Sequence, residues 1–173
     1  RITFHGPGQL VGYPIFKLHH QDLRLWLKDI ERALMTTVIE ETLLPAKPCP
    51  ENLLLEPGQL QTGVWVQDRK LGSIGIAVKR WVSYHGFALN ISTDLRYFTA
   101  IDPCGFQSSV MTSVCNELSK TKSVDAVQLM INIKKRIIEQ FRLLSVSYNE
   151  PVSGNVDSVE IKSEAENQTD KTQ

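Results

Sequence analysis

The sequence predicts an α/β domain in which two long helices flank a set of strands. Apolar residues recur at three- and four-residue steps over Gln21–Leu44 and again over Ser123–Leu144, which is the period of an amphipathic helix. Between these segments, Thr62–Ser92 shows the alternation of apolar and polar residues that is typical of strands. At 173 residues the chain is long enough for one domain with a real core and too short for two.

The N-terminal segment Arg1–Pro14 contains three glycines and two prolines in a strand-like run. Isolated glycines in such a run mark bulges or places where a ligand approaches the backbone. His5 begins this loop, either as a hydrogen-bonded structural histidine or as part of a site. In the helix that follows, we expect Asp22 to be the N-cap, Trp26 to lie in the core and Pro45 to stop the helix.

The strand region is predicted to contain Thr62–Gln67, Leu71–Trp81 and Val82–Ser92. This arrangement puts Lys70 at the edge of a hairpin, where a lysine is ordinarily solvated. Glycines interrupt neighbouring strands, so the sheet is expected to present backbone N–H groups along a cleft that binds a carbonyl or an oxyanion. A short irregular or helical connection is predicted over Thr93–Ile101.

The last predicted helix has Ser123 as its N-cap and a core-facing stripe. The stripe is expected to consist of Val124, Val127, Ile131, Ile138 and Phe141, with the stem of Lys134 beside them. From Tyr148 onward the chain is polar and acidic, so we expect disorder there.

Charge and composition exclude several classes of function. The net charge is zero, and six acids against two lysines give residues 149–173 a charge of −4, which leaves +4 for residues 1–148. Lysine and arginine do not form a stripe, so a nucleic-acid partner is not expected, whereas a small acidic partner suits the body. No apolar run approaches the roughly 20 residues of a membrane span.

Cys104 is the candidate nucleophile because it lies between Pro103 and Gly105, in a turn that can present a thiol to a substrate. Lys70 is the candidate cation that favours its thiolate, and His85 is the alternative base. The opposing interpretation is that Cys104 is a small buried hydrophobe, as free cysteines usually are.

The cysteines as a set point to a reducing compartment. Cys49, Cys104 and Cys115 lack CxxC spacing, which argues against a disulfide framework and against a zinc site. Cys49 lies in the proline-rich segment Pro45–Gly58, where we interpret it as an incidental exposed thiol.

Six ordered blocks carry a resemblance to a known family. They read TFHGPGQLVGYP at Thr3–Pro14, TGVWV at Thr62–Val66, KLGSIGI at Lys70–Ile76, HGFALN at His85–Asn90, STDL at Ser92–Leu95 and PCG at Pro103–Gly105. Together they resemble the lipoyl(octanoyl) transferase family from Arg1 to about Leu144. The family's Arg-Gly-Gly run before the first block is absent, so we expect an N-terminally truncated chain that begins inside that loop.

The resemblance implies an α+β fold like that of the lipoate and biotin protein ligases, a mixed sheet flanked by helices. Residues 1–148 would be the catalytic domain and residues 149–173 a disordered acidic tail. It also implies that an octanoyl group passes from the phosphopantetheine thioester of acyl carrier protein to a cysteine, and then to a lysine of a lipoyl domain. The acceptors would be E2 subunits of 2-oxoacid dehydrogenases and glycine cleavage H protein. By the same resemblance, neither ATP nor a metal would be required, because the thioester already carries the activation.

The resemblance also assigns residues. Cys104 matches the family's nucleophile, and Lys70 matches the lysine that lowers its pKa. The acyl-chain contacts carry over to Arg1, Ile2, Thr3, Phe4 and His5, to Ser73, Ile74 and Gly75, and to Gly86, Phe87 and Ala88. Glycines would admit the thioester carbonyl to backbone donors, while Ile74 and Phe87 would line an apolar channel.

Two other functions stay open at this stage: an ATP-dependent lipoate ligase on the same fold, and an inactive truncated binding module. A nucleotide site has little support, because neither GK[ST] nor GxGxxG is present. We expect a monomer with no membrane partner. The acidic, low-complexity tail favours a mitochondrial location, with the bacterial cytoplasm as the alternative.

Overall fold

The computed structural model describes residues 4–50, 62–100, 108–121 and 123–148. Three groups of predictions therefore lie outside the described residues: the nucleophile Cys104, the acyl contacts Arg1, Ile2 and Thr3, and the tail at 149–173.

One five-stranded sheet has the strand order β1-β5-β4-β3-β2. Its strands are β1 Gln9–Gly12, β2 Ala46–Lys47, β3 Gly63–Val66, β4 Arg69–Lys79 and β5 Val82–Asn90. Every pair of these strands is antiparallel, and the parallel component in the described residues is an isolated bridge between Lys70 and Met111. The predicted α+β class with flanking helices is confirmed, whereas the sheet that was expected to be mixed is antiparallel in its described strands.

The β4–β5 hairpin forms the longest ladder of the sheet and runs from Gly72↔Leu89 to Lys79↔Val82. Its tip residues Arg80 and Trp81 both have positive φ, 51° and 62°. Two consecutive positive φ values are the requirement of the tight turn that matches strand twist. The three predicted strands are thus confirmed to within two residues at each end.

Within the described ranges, three α-helices accompany the sheet: α1 Leu23–Thr42, α2 Val114–Leu118 and α3 Ala126–Tyr148. As predicted, Asp22 caps α1, since its Oδ1 accepts hydrogen bonds from the backbone N–H groups of Arg24 (2.9 Å) and Leu25 (3.0 Å). Leu43 ends α1 in the left-handed conformation, two residues before Pro45. No helix in the described ranges is long and apolar enough to cross a membrane.

The start and the buried face of α3 correct the sequence prediction. Asp125 caps the helix instead of Ser123, because its Oδ1 accepts from Val127 N and Gln128 N at 3.0 Å. Val127 and Ile131, predicted to face the core, are 72% and 41% exposed. The buried face consists of Leu129, Ile133, Ile137, Phe141 and Tyr148. The helix has two apolar stripes, and periodicity alone does not decide which one packs.

An aromatic cluster joins α1 to α3. The Trp26 ring lies 4.8 Å from Phe16 and 4.9 Å from Tyr148 between centroids. The Tyr148 hydroxyl donates to Asp29 Oδ2 at 2.6 Å. Burial, together with this hydrogen bond and the charge of Asp29, raises the pKa of the Tyr148 phenol. Tyr148 therefore belongs to the core, and the prediction that disorder begins at this residue is wrong.

Candidate active site

A cavity of about 550 Å³ opens along β1, β4 and β5. Seven of the eleven predicted acyl contacts line it: His5, Ser73, Ile74, Gly75, Gly86, Phe87 and Ala88. Of the other four, three lie outside the described residues. The fourth, Phe4, stacks on Tyr97 at 5.3 Å between ring centroids and meets the edge of Phe98 at 5.1 Å, so the structure brings His5 but not Phe4 to the wall.

The register of the sheet explains why these residues meet. Ser73 pairs with Ala88, Ile74 with Phe87 and Gly75 with Gly86, so two separate sequence blocks form one wall. Strand β1 adds Val11 opposite Ala88 on the other side of β5. Antiparallel pairing places the two residues of each pair side by side on the same face of the sheet, and successive pairs alternate between its two faces.

The two paired glycines serve different purposes. A Cβ built on Gly86 would collide with the carbonyl oxygen of Gly12, so Gly86 permits the close approach of β1. A Cβ on Gly75 would meet no atom within 4 Å, because Gly75 faces open space at the cavity. Gly75 thus leaves volume for a ligand.

Sequence reasoning missed five lining residues. They are Val11, Tyr13, Leu27, Thr62 and Ile76. Four of them lie inside the sequence blocks already recognised, so the signal for these was present. Leu27 comes from α1, where it counted only as one member of an apolar stripe, and no local pattern distinguishes it.

Lys70 is fully buried, so it is not the solvated lysine that is ordinary at the edge of a hairpin. Strand β4 has β3 on one side and β5 on the other, and Trp65 faces Lys70 across a register shift in β3–β4. The Lys70 ammonium lies 5.3 Å from the Trp65 ring centroid, within the range of a cation–π contact. A buried cation depends on such partners, because burial removes its hydration.

Gly63 makes room for the lysine stem. Its φ is +150°, and a Cβ there would lie 2.9 Å from Lys70 Cε and would collide with the carbonyl oxygen of Gly72. Because Gly63 pairs with the cavity residue Ser73, the Lys70 stem lies next to the cavity wall. The Gly63 N–H is held by Glu31 Oε1 at 3.0 Å.

The two described thiols do not favour the thiolate form. Burial is the main influence that raises the pKa of Cys49; the charge of Lys70 works against this and that of Glu31 adds to it. Burial also raises the pKa of Cys115. Cys49 is half-buried and senses Lys70, which corrects its interpretation as an incidental exposed thiol.

His85, the alternative base, also lines the cavity. Its φ is 63°, and its ring lies 4.7 Å from that of Tyr84. Among residues 4–50, 62–100, 108–121 and 123–148, no group of three His, Cys, Asp or Glu side chains is placed to hold a metal ion.

The fold of the described residues has counterparts among solved biotin and lipoate protein ligases. The fold is similar to biotin protein ligase from Aquifex aeolicus, with a TM-score of 0.52 and 15% identity over 80% of this chain and 55% of that one. The fold is also similar to a lipoate-protein ligase A bound with ATP, with a TM-score of 0.51 and 15% identity over 70% of this chain and 47% of that one. Residues 1–141 match the lipoyl protein ligase A/B catalytic domain, and the chain belongs to that family.

Similar proteins within the family are named octanoyltransferase. The one from Geotalea uraniireducens is 41% identical over 142 residues, which cover 81% of this chain and 59% of that protein. The one from Dictyoglomus turgidum is 44% identical over 127 residues, which cover 73% of this chain and 50% of that protein. The chain therefore spans 50–59% of the length of these two relatives.

Proposed function

We propose that this chain carries the active site of an octanoyltransferase that acts in protein lipoylation. The observation that carries the proposal is that seven acyl contacts expected from the family resemblance, drawn from three separate sequence blocks, line one cavity beside a buried lysine. The names of relatives at about 40% identity support the same activity.

The cavity suits a fatty acyl chain. Its volume of about 550 Å³ falls in the range of roughly 300–1,000 Å³ that is usual for small-molecule sites. Val11, Ile74, Ile76 and Phe87 supply apolar wall, and Gly75 leaves space. Each methylene of an octanoyl chain that is buried there contributes about 0.8 kcal/mol, so the chain supplies most of the affinity.

In the proposed reaction the Cys104 thiolate attacks the thioester carbonyl of octanoyl-acyl carrier protein. A new carbon–sulfur bond forms at Cys104, and the phosphopantetheine thiolate leaves. The ε-amine of a lysine on a lipoyl domain then attacks the same carbonyl, the carbon–sulfur bond to Cys104 breaks, and an amide forms while the amine loses a proton. The role proposed for the Lys70 ammonium is to favour the Cys104 thiolate in the first step and to give its proton to the departing phosphopantetheine thiolate. The neutral Lys70 amine then acts as the base that accepts the proton lost by the attacking ε-amine.

The proposed reaction does not use ATP, because the acyl group is already activated as a thioester and needs no adenylation. Independence from ATP distinguishes the proposed transferase from the alternative, a lipoate ligase. A ligase of similar fold binds ATP, so the alternative needs to be tested. The proposed partners are octanoyl-acyl carrier protein and lipoyl domains. The proposed compartment is the mitochondrion, favoured by the acidic composition of residues 149–173, with the bacterial cytoplasm as the alternative.

The direct test is incubation with octanoyl-acyl carrier protein without ATP, followed by mass spectrometry of the digested chain. We expect one octanoyl group on the Cys104 peptide and none in Cys104→Ser. An adduct on Cys49 or Cys115 would overturn the assignment of the nucleophile. Transfer that requires ATP would favour the ligase, and the absence of any adduct would favour the binding module.

The role of Lys70 is tested by comparing Lys70→Arg with Lys70→Ala in single-turnover transfer. Arginine keeps the charge but cannot act as a base, so it should impair transfer to the lipoyl domain more than formation of the thioester. Alanine should slow both steps and raise the pKa of Cys104, as measured by the alkylation rate against pH. A Cys104 pKa that does not move in Lys70→Ala would contradict the pairing and would direct attention to His85.

A further inference from the structure

A buried chain of side-chain hydrogen bonds runs from the cavity into the protein. His5 Nδ1 lies 2.8 Å from Gln9 Oε1, and Gln9 Nε2 donates to Asn90 Oδ1 at 2.9 Å. Asn90 Nδ2 donates to the backbone carbonyl of Thr112 at 3.1 Å. Gln9, Asn90 and Thr112 are 7%, 1% and 0% exposed, so water does not compete for the Gln9–Asn90 and Asn90–Thr112 links, whereas the His5–Gln9 link is part-buried.

The last contact determines the direction of every other one. A backbone carbonyl only accepts, so Asn90 must present its NH₂ to Thr112 and its oxygen to Gln9. Gln9 must then direct its NH₂ at Asn90 and its oxygen at His5. An oxygen that accepts needs a donor, so the proton of a neutral His5 ring lies on Nδ1. The amide orientations follow from the network itself, without reference to hydrogen positions.

The consequence is a defined acceptor at the cavity. A neutral imidazole with its proton on Nδ1 has its free lone pair on Nε2, which points away from the Nδ1–H direction. His5 is exposed and lines the cavity, whereas its Nδ1 is engaged with the buried Gln9. Free imidazole side chains in water favour the opposite tautomer, so the buried chain imposes a state that solvent would not select.

The same network also holds the backbone of Lys70. The Thr112 N–H donates to the Lys70 carbonyl at 3.0 Å, and the Thr112 hydroxyl donates to the buried Glu117 at 2.5 Å. The hydrogen-bond chain from His5 ends at the Thr112 carbonyl, and the Lys70 carbonyl is held by the Thr112 N–H. Both residues are therefore connected to Thr112. His85 lines the same cavity, but its side chain makes no hydrogen bond to another residue in the described part of the chain.

We propose that Gln9 and Asn90 are positioning residues that hold His5 in its Nδ1–H tautomer, so that His5 Nε2 accepts a hydrogen bond from the attacking amine. The identity of that amine rests on the proposed function, where it is the lysine of the acceptor domain. An amine that donates one N–H to His5 Nε2 can rotate less freely, because that acceptor is fixed. The hydrogen bond therefore orients the lone pair of the amine nitrogen towards the acyl carbonyl.

The tautomer itself is tested without any substrate. Nitrogen-15 NMR of the chain labelled at histidine distinguishes the protonated from the unprotonated ring nitrogen, at a pH about two units above the ordinary histidine pKa. We expect the proton of His5 on Nδ1. Gln9→Met removes the acceptor and should move the population towards Nε2–H, while the spectrum of His85 stays unchanged. A wild-type His5 with its proton on Nε2 would overturn the proposal, even if transfer is active.

The role in transfer is tested by two substitutions of similar size. His5→Asn keeps an N–H donor near the Nδ1 position but removes the Nε2 acceptor, whereas His5→Gln places an amide near the Nε2 position. We expect His5→Asn to slow transfer to the lipoyl domain about tenfold or more relative to its effect on thioester formation, with partial rescue in His5→Gln. Equal slowing of both steps in both variants would make His5 a contact of the acyl chain alone and would overturn the role.

The outcome stays separable from that of the proposed function. If the wild-type chain forms no thioester, the proposed function fails, but the NMR result still decides whether the tautomer is held. If the thioester forms and the tautomer is Nε2–H, only the positioning role fails.

Discussion

The surroundings of Gly75 and of Phe141 show two opposite ways of filling space in one small domain. The Phe141 ring lies 5.7–6.5 Å, between centroids, from the rings of Phe87, Trp26 and Phe16. At Gly75 even an added Cβ would meet nothing within 4 Å. Phe87 belongs to both regions, because it stacks on Phe141 with an interplanar angle of 4° and also lines the cavity.

The comparison indicates that the surroundings of Phe141 contribute to stability and those of Gly75 to ligand binding. Close-packed rings contribute dispersion and apolar burial to folding, and a void there is costly. The cavity wall gives up such contacts so that a ligand can supply them. Substitutions in the two regions should therefore separate unfolding from transfer, whereas Phe87→Ala would mix the two and makes a poor probe of chain length.

The largest effect is expected for Phe141→Ala. Removing a fully buried ring from the cluster should lower the free energy of unfolding by about 3–5 kcal/mol, as measured by urea denaturation. Leu143→Ala on the same helix, at a site that is 65% exposed, should stay within about 0.5 kcal/mol of the wild type. Similar losses in both variants would mean that α3 does not carry the core as described.

The second-largest effect is expected for Gly75→Val, which should lower activity and leave stability unchanged. The side chain would occupy space that the acyl chain uses; displacing about three methylenes costs about 2.4 kcal/mol of binding, or roughly sixtyfold in kcat/KM for the octanoyl donor. The strand should tolerate valine, because Gly75 has no positive φ and no neighbour within reach. Gly75→Ala should give a smaller loss, and a butanoyl donor should be spared. A Tm that falls together with activity would contradict the assignment of Gly75 to the cavity.

A smaller effect on stability is expected for Tyr148→Phe. The substitution keeps the ring against Trp26 but removes the hydroxyl that donates to Asp29. A buried carboxylate that loses a donor should reduce the free energy of unfolding by about 1–2 kcal/mol. No change would place Tyr148 with the tail that follows it, as the sequence first indicated.

The smallest effect concerns pH and Glu117. Burial is the largest single influence and would raise its pKa, but hydrogen bonds from Lys120 and Thr112 and the charges of Lys120 and Arg69 outweigh it, so the pKa lies below the ordinary 4.5. A folded-state pKa that is lowered contributes stability above about pH 4.5, which is lost as pH falls through the folded-state value. The stability advantage of wild type over Glu117→Gln should therefore shrink by up to about 1 kcal/mol between about pH 6 and pH 3. A difference that stays constant would show that this carboxylate is not stabilised by the fold.

Local patterns predicted much of the fold and part of the site. The cap at Asp22, the strands from residue 62 to residue 92 and seven acyl contacts follow from capping chemistry, alternation and family blocks. The choice between two apolar stripes on α3 depends on what α1 presents to it, which periodicity does not contain. The five-residue helix α2 is too short to show a period.

The burial of Lys70 was also beyond local reasoning. It depends on Trp65 from another strand and on a register shift that turns the two side chains towards each other. The hydrogen-bond chain from His5 likewise joins residues that are far apart in sequence, since Gln9 and Asn90 are separated by 81 positions. Such contacts depend on tertiary structure, and the local patterns of a single sequence do not predict them.

The contact between Lys70 and Trp65 also gives the site its own optical reporter. The indole lies 5.3 Å from the ammonium, so its emission is sensitive to the local field of that charge. Trp26, by contrast, lies on α1 in the ring cluster that joins α1 to α3, and its emission reports on folding. Fluorescence of the chain thus contains a signal for the electrostatic state of the lysine and one for the integrity of the fold, beside the emission of Trp81 at the β4–β5 turn, and Lys70→Met would identify the first of them.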